Sequence, residues 1–439
     1  MLDLSSTISP PAPTLGMVLK GYPRISETFI ANEIYRLEQL GIPVHIFSMR
    51  HPRENFSHAV IEKIQARVDY LPTGLFEDFS RLFFPSALLA VRRPGLFLAA
   101  LAKAGERFHR TRNLGTLKHL LQAGYLAGYL LPRCPEVVHL HAHFAHSPSS
   151  VALFTSLLSG LQFSFTAHAK DVYTSNPAQL KEKIDLASLV VTCTRYNKKY
   201  LQELAGETST KIHCVYHGID LKLFRFPKQR RLPKPPYRIL SVARLTEKKG
   251  LATVLEALAR LNNSGVDFEY TLIGDGDDKD LVMAQLFSLG LQDHCRYLGT
   301  RTHREVVREF ERADLFVLGC RVAASGDRDG IPNVLVESLA MGLPAVGTMV
   351  SALPEILRDG RTGLLVAPED PAAMAAAMLR LLTDTDLRSL VIQQGQQLVQ
   401  DDFDNRQLIR RLAEIYCSGI PALQCSCAPL TPDPCNMYG

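Results

Sequence analysis

The feature that most constrains this chain is a repeated alternation of short apolar strands and amphipathic helices, interrupted once by a stretch suited to neither. That stretch is Phe226-Pro-Lys-Gln-Arg-Arg-Leu-Pro-Lys-Pro-Pro236, whose prolines lack N–H donors and fix φ. Before it, Leu15–Leu19 reads as a strand and Gly21-Tyr-Pro23 as a loop. Ser26 then reads as the cap of a helix to about Leu40, with Phe29, Ile30, Ile34, Leu37 and Leu40 at helical spacing. Val44–Phe47, Val68–Leu71, Val137–Leu140, Gln162–Thr166, Leu189–Cys193 and His213–Tyr216 supply further strands. After the interruption, strands Arg238–Val242, Tyr270–Ile273, Arg296–Leu298, Leu315–Leu318 and Ala345–Gly347 alternate with helices, and helices over 371–382, 386–398 and 404–416 follow. Such alternation predicts an α/β chain with two doubly wound parallel sheets. At 439 residues the chain also exceeds one ordinary core.

The expected division is a Ser/Pro-rich mobile leader at 1–14, a first domain at 15–225 with a basic helical insertion at 75–132, and a linker at 226–236. A second domain at 237–400, a closing helix at 401–416 and a mobile tail at 417–439 complete it. Residues 81–130 carry eight lysines and arginines against one acid, Glu106, so this segment is +7 while the whole chain is only +5. Its apolar runs Leu82–Val91 and Leu96–Leu101 interleave with the cations. It reads either as an amphipathic surface that lies on an anionic membrane or as a helical insertion whose basic face is solvated. Cys134, Cys193, Cys214, Cys295 and Cys320 sit in or beside apolar runs as small core residues. With no signal-peptide pattern, and no run long and apolar enough to span a bilayer, the expected location is the cytoplasm, or the inner face of its membrane as a peripheral protein. The tail cysteines 417, 425, 427 and 435 lack a convincing zinc spacing. His139-Leu-His-Ala-His143 puts imidazoles on one strand face, but no carboxylate or cysteine stands at a ligand spacing nearby, and no metal is expected.

Ligands of open parallel sheets bind beyond the carboxyl ends of the strands. Four such ends carry suggestive residues. Arg244 and Lys249 flank a tight loop opening a helix, two cations suited to a diphosphate, whereas Lys248 reads as surface charge. Gly274-Asp-Gly276 lets backbone approach a ligand, or is a plain turn. His168, with Asp171 three residues on, follows the strand Gln162–Thr166. The fourth end leads into Arg328-Asp-Gly-Ile-Pro-Asn-Val-Leu-Val-Glu-Ser-Leu-Ala-Met-Gly-Leu-Pro344, with one carboxylate in a loop, Asp329, and a second in a helix, Glu337. Pro332 suits the first helical position, which would leave the N–H groups of Asn333, Val334 and Leu335 free for an anion. No GxxxxGK[ST] loop occurs, which disfavours a P-loop nucleotidase.

In this order and spacing, Arg244…Lys249-Gly250, Gly274-Asp-Gly276 and Asp329-x7-Glu337 resemble the motifs of retaining GT-B glycosyltransferases of family 4. Tyr22-Pro-Arg-Ile-Ser-Glu-Thr-Phe29, His141-Ala-His-Phe144, Phe165-Thr-Ala-His-Ala-Lys-Asp171 and His217-Gly-Ile-Asp220 further resemble the bacterial colanic-acid and exopolysaccharide members. The resemblance covers about residues 15–416 and implies two Rossmann-like domains facing a cleft, with the last helix returning to the first domain. It implies a UDP- or GDP-linked sugar donor, a glycan or lipid-linked glycan acceptor, and neither cofactor, metal nor nucleic acid. Arg244 and Lys249 would contact the diphosphate, Glu337 the ribose, Asp329 the sugar hydroxyls, and the backbone of Asn333, Val334 and Leu335 the sugar and phosphate. Gly274 would line the donor site, while His168 and Gly21 would approach the sugar ring and phosphate from the first domain. Asp329 departs from the family's usual Glu and reaches about one bond less far. A nucleotide-sugar epimerase of the same plan and a non-catalytic glycan-binding subunit are the alternatives.

Overall fold

The computed structural model describes residues 12–24, 27–52, 60–75, 77–225 and 230–423. The expected cap Ser26, most of the leader and cysteines 425, 427 and 435 lie outside the described residues. The chain divides into two compact units, one of 1–192, 201–213 and 409–439 and one of 193–200 and 214–408.

The first unit is built on a seven-stranded sheet of β1 (Thr14–Leu19), β2 (Val44–Ser48), β3 (Arg67–Tyr70), β4 (Val137–His143), β5 (Phe163–Ala167), β6 (Leu189–Thr192) and β7 (Lys211–Cys214). Its order is β3-β2-β1-β4-β5-β6-β7. The second unit has six strands, β8 (Tyr237–Val242), β9 (Phe268–Ile273), β10 (Cys295–Gly299), β11 (Leu315–Val317), β12 (Ala345–Thr348) and β13 (Leu364–Val366), ordered β10-β9-β8-β11-β12-β13. In both sheets the order reverses beside the first strand, between β1 and β4 and between β8 and β11. These are the places where neighbouring connections leave toward opposite faces and open a crevice. Their strand-end loops start at Lys20, Phe144, Ala243 and Leu318.

Burial on both faces explains why β8, β9, β11 and β12 read as apolar runs, while the edge strand β10 is only partly buried. Ile239, Tyr270, Leu272, Leu315 and Val317 enter one core cluster, with Leu255 and Met378 of the helices Leu251–Asn263 and Pro371–Thr383. Their alternates Leu240, Ile273, Phe316 and Leu318 enter the other, with Phe310, Leu339 and Val399 of three further helices. Arg230, expected in a free linker, is instead pinned to the second unit by donating to the carbonyls of Met341 and Ala313 at 3.0 and 2.8 Å. Residues 230–236 hold no helix or strand, as their prolines require.

The basic insertion folds as helices Phe79–Arg92, Pro94–Thr111 and Gly115–Tyr125. One buried ion pair ties it down. Arg107, 1% exposed, donates from Nε to Glu182 Oε1 at 3.1 Å and lies 5.1 Å over the ring of Phe154. Arg110 reaches the other oxygen of Glu182 at 2.6 Å. The outward faces remain apolar: Phe84 is 68% exposed, Val91 80% and Leu98 63%. None of the helices among the described residues is long and apolar enough to cross a membrane.

The three histidines of β4 are buried; His139 and His141 face hydroxyls and His143 faces a carboxylate. His139 Nε2 lies 2.9 Å from Ser164 Oγ. His141 meets Ser164 at 2.8 Å, Thr166 at 2.9 Å and the Tyr416 hydroxyl at 3.0 Å. His143 Nε2 lies 3.1 Å from Glu33 Oε1. The ladder is a polar core that β4 shares with β5, with Glu33 and with Tyr416.

The anchor generates a prediction with an internal control. Glu182→Ala leaves the Arg107 guanidinium buried and unpaired, at a cost of about 3 kcal/mol. Arg107→Met removes the buried charge itself and leaves Glu182 to Arg110, so it costs distinctly less. Denaturant titration of the purified variants measures both, and equal losses would contradict the pairing account.

Candidate donor site

The site in the second unit is assembled from the loops after β8 and β11. The β8 loop makes a short 3-10 turn, Glu247–Lys249, that ends at Gly250 with φ 57°. A Cβ at Gly250 would collide with the Gly319 carbonyl, so both its conformation and its neighbour require glycine. Gly274, at φ 132°, is held the same way against the Ala243 carbonyl, which ties the β9 end to the β8 loop. Its N–H donates to Gly299 O at 2.9 Å.

Close backbone approach brings the lysines to the β11 loop. Lys249 Nζ lies 2.6 Å from Asp329 Oδ2. Lys248, read as surface charge from the sequence, is only 7% exposed, with Nζ 3.2 Å from Asp329 Oδ1 and 3.1 Å from Asp327 Oδ1. A 3-10 turn has about three residues per turn, so it sends adjacent side chains in different directions, yet here both lysines end inside. Burial alone would raise the Asp329 pKa, but Lys249 and Lys248 outweigh it and hold the carboxyl below its ordinary value. Burial likewise opposes the charge on Lys249, and Asp329 outweighs it to hold the ammonium above its ordinary value. The Cys320 thiol lies 3.7 Å from Asp329 Oδ2, its pKa pushed well up by burial and by that carboxylate. Arg244 is exposed, and no hydrogen bond or ion pair engages its guanidinium among the described residues.

The helix after this loop is Asn333–Ala340, with Pro332 as its N-cap, not its first helical residue. The Leu335 N–H closes on Pro332 O at 3.0 Å. The expected trio of free donors is therefore reduced to Asn333 and Val334, whose N–H groups have no acceptor among the described residues. Gly342, at φ 64°, ends the helix, and Leu343 N–H returns to Ser338 O at 2.9 Å.

Glu337 lies one turn further along. It is 8% exposed, and its carboxyl has neither a hydrogen bond nor an ion pair among the described residues. Burial pushes its pKa up to about 7. Buried polar groups are nearly always partnered, so this carboxyl calls for a ligand that donates hydrogen bonds.

In the first unit His168 caps the helix Ala169–Thr174 and is packed by Phe144, Phe29 and His143, with ring centroids 4.7, 5.2 and 5.9 Å away. Asp171 does not present its carboxylate to a ligand. It is fully buried and accepts from the N–H groups of His168, at 3.0 Å, and Ala145. Burial raises its pKa and these donors pull it back, leaving it at about 7. Lys183, also buried, donates to the carbonyls of Ala145 and His146. From sequence Asp171 reads as a carboxylate that accompanies His168 in a site, and the structure makes it a backbone brace instead; Lys183 gives no sequence signal, since a lysine in the middle of a helix does not show that it points inward. Gly21 is buried at the β1 end, with Arg24 beside it.

Residues 26–223 match the family Glycosyltransferase Family 4, and residues 224–398 match Glycosyl transferases group 1. The amylovoran biosynthesis glycosyltransferase AmsK of Erwinia amylovora is 30% identical over 404 residues, which is 90% of this chain and 97% of AmsK. The putative colanic acid biosynthesis glycosyltransferase WcaL of Escherichia coli is 27% identical, over 91% of this chain and 98% of WcaL. Among solved structures, Anabaena HepE in complex with UDP superposes with a TM-score of 0.69 at 16% identity, covering 92% of this chain and 100% of HepE. The chain therefore belongs to the group 1, family 4 glycosyltransferases of the GT-B fold.

Proposed function

We propose that this enzyme transfers a hexose, with retention, from a UDP- or GDP-linked donor to a glycan or lipid-linked glycan in exopolysaccharide or cell-surface glycan synthesis. The observation that carries the donor assignment is Glu337, a buried carboxyl without a partner among the described residues, on the helix whose start leaves two N–H groups open there. A nucleotide ribose supplies the hydroxyl donors such a carboxylate lacks. The exposed Arg244 and the buried Lys249 stabilise the negative charge that grows on the departing diphosphate, so that no metal is required for this step. The open N–H groups of Asn333 and Val334 face the sugar and phosphate, and Gly274 lines the donor site. Asp329 accepts from the sugar hydroxyls, and its short side chain bears on which sugar is taken. In the first unit, His168 is assigned to the sugar ring and Gly21 to the phosphate. The names of AmsK and WcaL support polymer synthesis as the setting; the retaining outcome rests on the family motifs.

The same reading places the insertion on the membrane that carries a lipid-linked acceptor. The exposed Phe84, Val91 and Leu98 supply apolar contact, and Arg92 and Arg112 supply charge toward anionic headgroups. Its location is then the cytoplasmic face of the cell membrane.

Three tests follow. Purified enzyme is incubated with UDP-, GDP- and ADP-sugars, with and without membrane extract. Free nucleoside diphosphate released only with extract supports transfer; an isomerised sugar means an epimerase, and tight glycan binding without turnover means a non-catalytic subunit. Lys249→Ala is expected to lose most turnover while staying folded, and near-wild-type rates in the purified variant would sink its assignment. For Glu337, the folded state holds its proton up to about pH 7, the unfolded one only to about 4.3. Stability therefore falls as pH rises through that window and levels above it. Glu337→Gln abolishes this slope and gains up to about 4 kcal/mol at pH 8. Wild-type affinity for the nucleotide should drop about tenfold from pH 8 to pH 6, since ribose hydroxyls bind the ionised carboxylate. A flat profile for both stability and affinity would remove Glu337 from the ribose. Finally, binding to phosphatidylglycerol vesicles should weaken with salt, and Phe84→Ser with Val91→Ser should remove what salt leaves; binding indifferent to anionic lipid and to both substitutions would mark the insertion as merely solvated.

A further inference from the structure

Lys249 has two claims on it. It is paired with Asp329 at 2.6 Å, and the donor reading asks it to meet a diphosphate. If it left Asp329 alone, a nearly buried carboxylate would stand uncompensated beside an incoming polyanion, which is strongly unfavourable. The structure holds a second cation at the same carboxylate. Lys248 Nζ is 3.2 Å from the other oxygen, Oδ1, so the two lysines divide Asp329 between them.

Lys248 is also held in place. Asp327 Oδ1 takes a second contact from its ammonium at 3.1 Å, and its own carbonyl accepts the Arg321 N–H at 2.9 Å. Arg321 in turn grips Glu247 and Glu369, and the Ala324 N–H donates to Glu247 at 3.0 Å. These links strap the 319–328 loop to the β8 loop on both sides of Lys248. Its ammonium is enclosed, whereas Arg244 is exposed and unengaged. Of the three cations on this loop, Lys248 is the one placed to serve the carboxylate and not an entering ligand.

We propose that Lys248 is a positioning residue for donor binding: it retains Asp329 when Lys249 turns to the diphosphate, which keeps Lys249 available and the Asp329 carboxylate aimed at the sugar. This rests on the donor reading above. Without Lys248, Asp329 has Lys249 as its sole ammonium partner and competes with the diphosphate for it. Removing Asp329 as well ends the competition. A lysine that merely braced the loop, or touched phosphate itself, would show no such rescue.

The test is a double-mutant cycle read by calorimetric binding of UDP and GDP to the full chain, using whichever wild type binds tighter. UDP and GDP lack the sugar assigned to Asp329, so they report on the lysines: Lys248→Met is expected to weaken binding about tenfold or more, Asp329→Asn to tighten it by freeing Lys249, and the double variant to return within about threefold of Asp329→Asn. A double variant as weak as Lys248→Met overturns the proposal, and so does a Lys248→Met that binds like wild type. If Lys248→Met does not fold, Asp327→Asn decides: it gives Lys248 wholly to Asp329, so affinity should hold or rise, and a loss of tenfold means that the loop brace alone matters. Wild type that binds neither nucleotide overturns the donor reading and this proposal with it; binding by wild type without rescue overturns this proposal alone.

Discussion

The second unit depends on one close approach. The backbone at Gly250 meets the carbonyl of Gly319 with no room for a side chain, and this brings the β8 and β11 loops into register. Everything charged in the site follows from that contact. Lys248 and Lys249 meet Asp329 because their turn ends there, and Asp327 and Arg321 fold over it because the facing loop starts there. The two aspartates and two lysines cancel, so the buried part of the site rests as a neutral cluster, with Arg244 exposed beside it in the chain. Each charge in the cluster has a partner, which offsets the cost of removing it from water.

The first unit solves the same problem with different chemistry. Its strand-end loops are fixed by a carboxylate and an ammonium that spend themselves on backbone groups. Asp171 joins the loop after β4 to that after β5, and Lys183 fastens two carbonyls of the former. His168 then stands on a braced turn and among aromatic rings, which restrict its orientation. In both units charged groups paired within the protein fix the strand-end loops, and Lys183 and Lys248 are ones that sequence alone would assign to the surface.

Much of the architecture was legible because parallel strands buried on both faces leave an unbroken apolar signature, as in Arg238–Val242 and Tyr270–Ile273. Legibility failed where that signature weakens. The edge strand β7 lies at Lys211–Cys214, two residues before its expected place, because an edge strand is only half covered and its start is polar. β13 was not separated at all, being three residues long. Arg244, Lys249, Asp329 and Glu337 stand out in the sequence as candidates, but the partnerships of Lys249 and Asp329 do not. Sequence cannot tell which of two adjacent lysines is enclosed, nor that the Leu335 N–H would close on Pro332. The histidines of β4 had a readable counterpart in Ser164 and Thr166, which share their period of two on the neighbouring strand.

The Tyr416 hydroxyl that meets His141 comes from the last helix, Asn405–Gly419, and residues from 409 on belong to the first unit. On the ribosome, β1 to β7 emerge long before this tyrosine, and the buried ladder of His141 and Glu33 waits for it through the synthesis of the whole second unit. The first unit's polar core is therefore closed only after the residues of the second unit have been made.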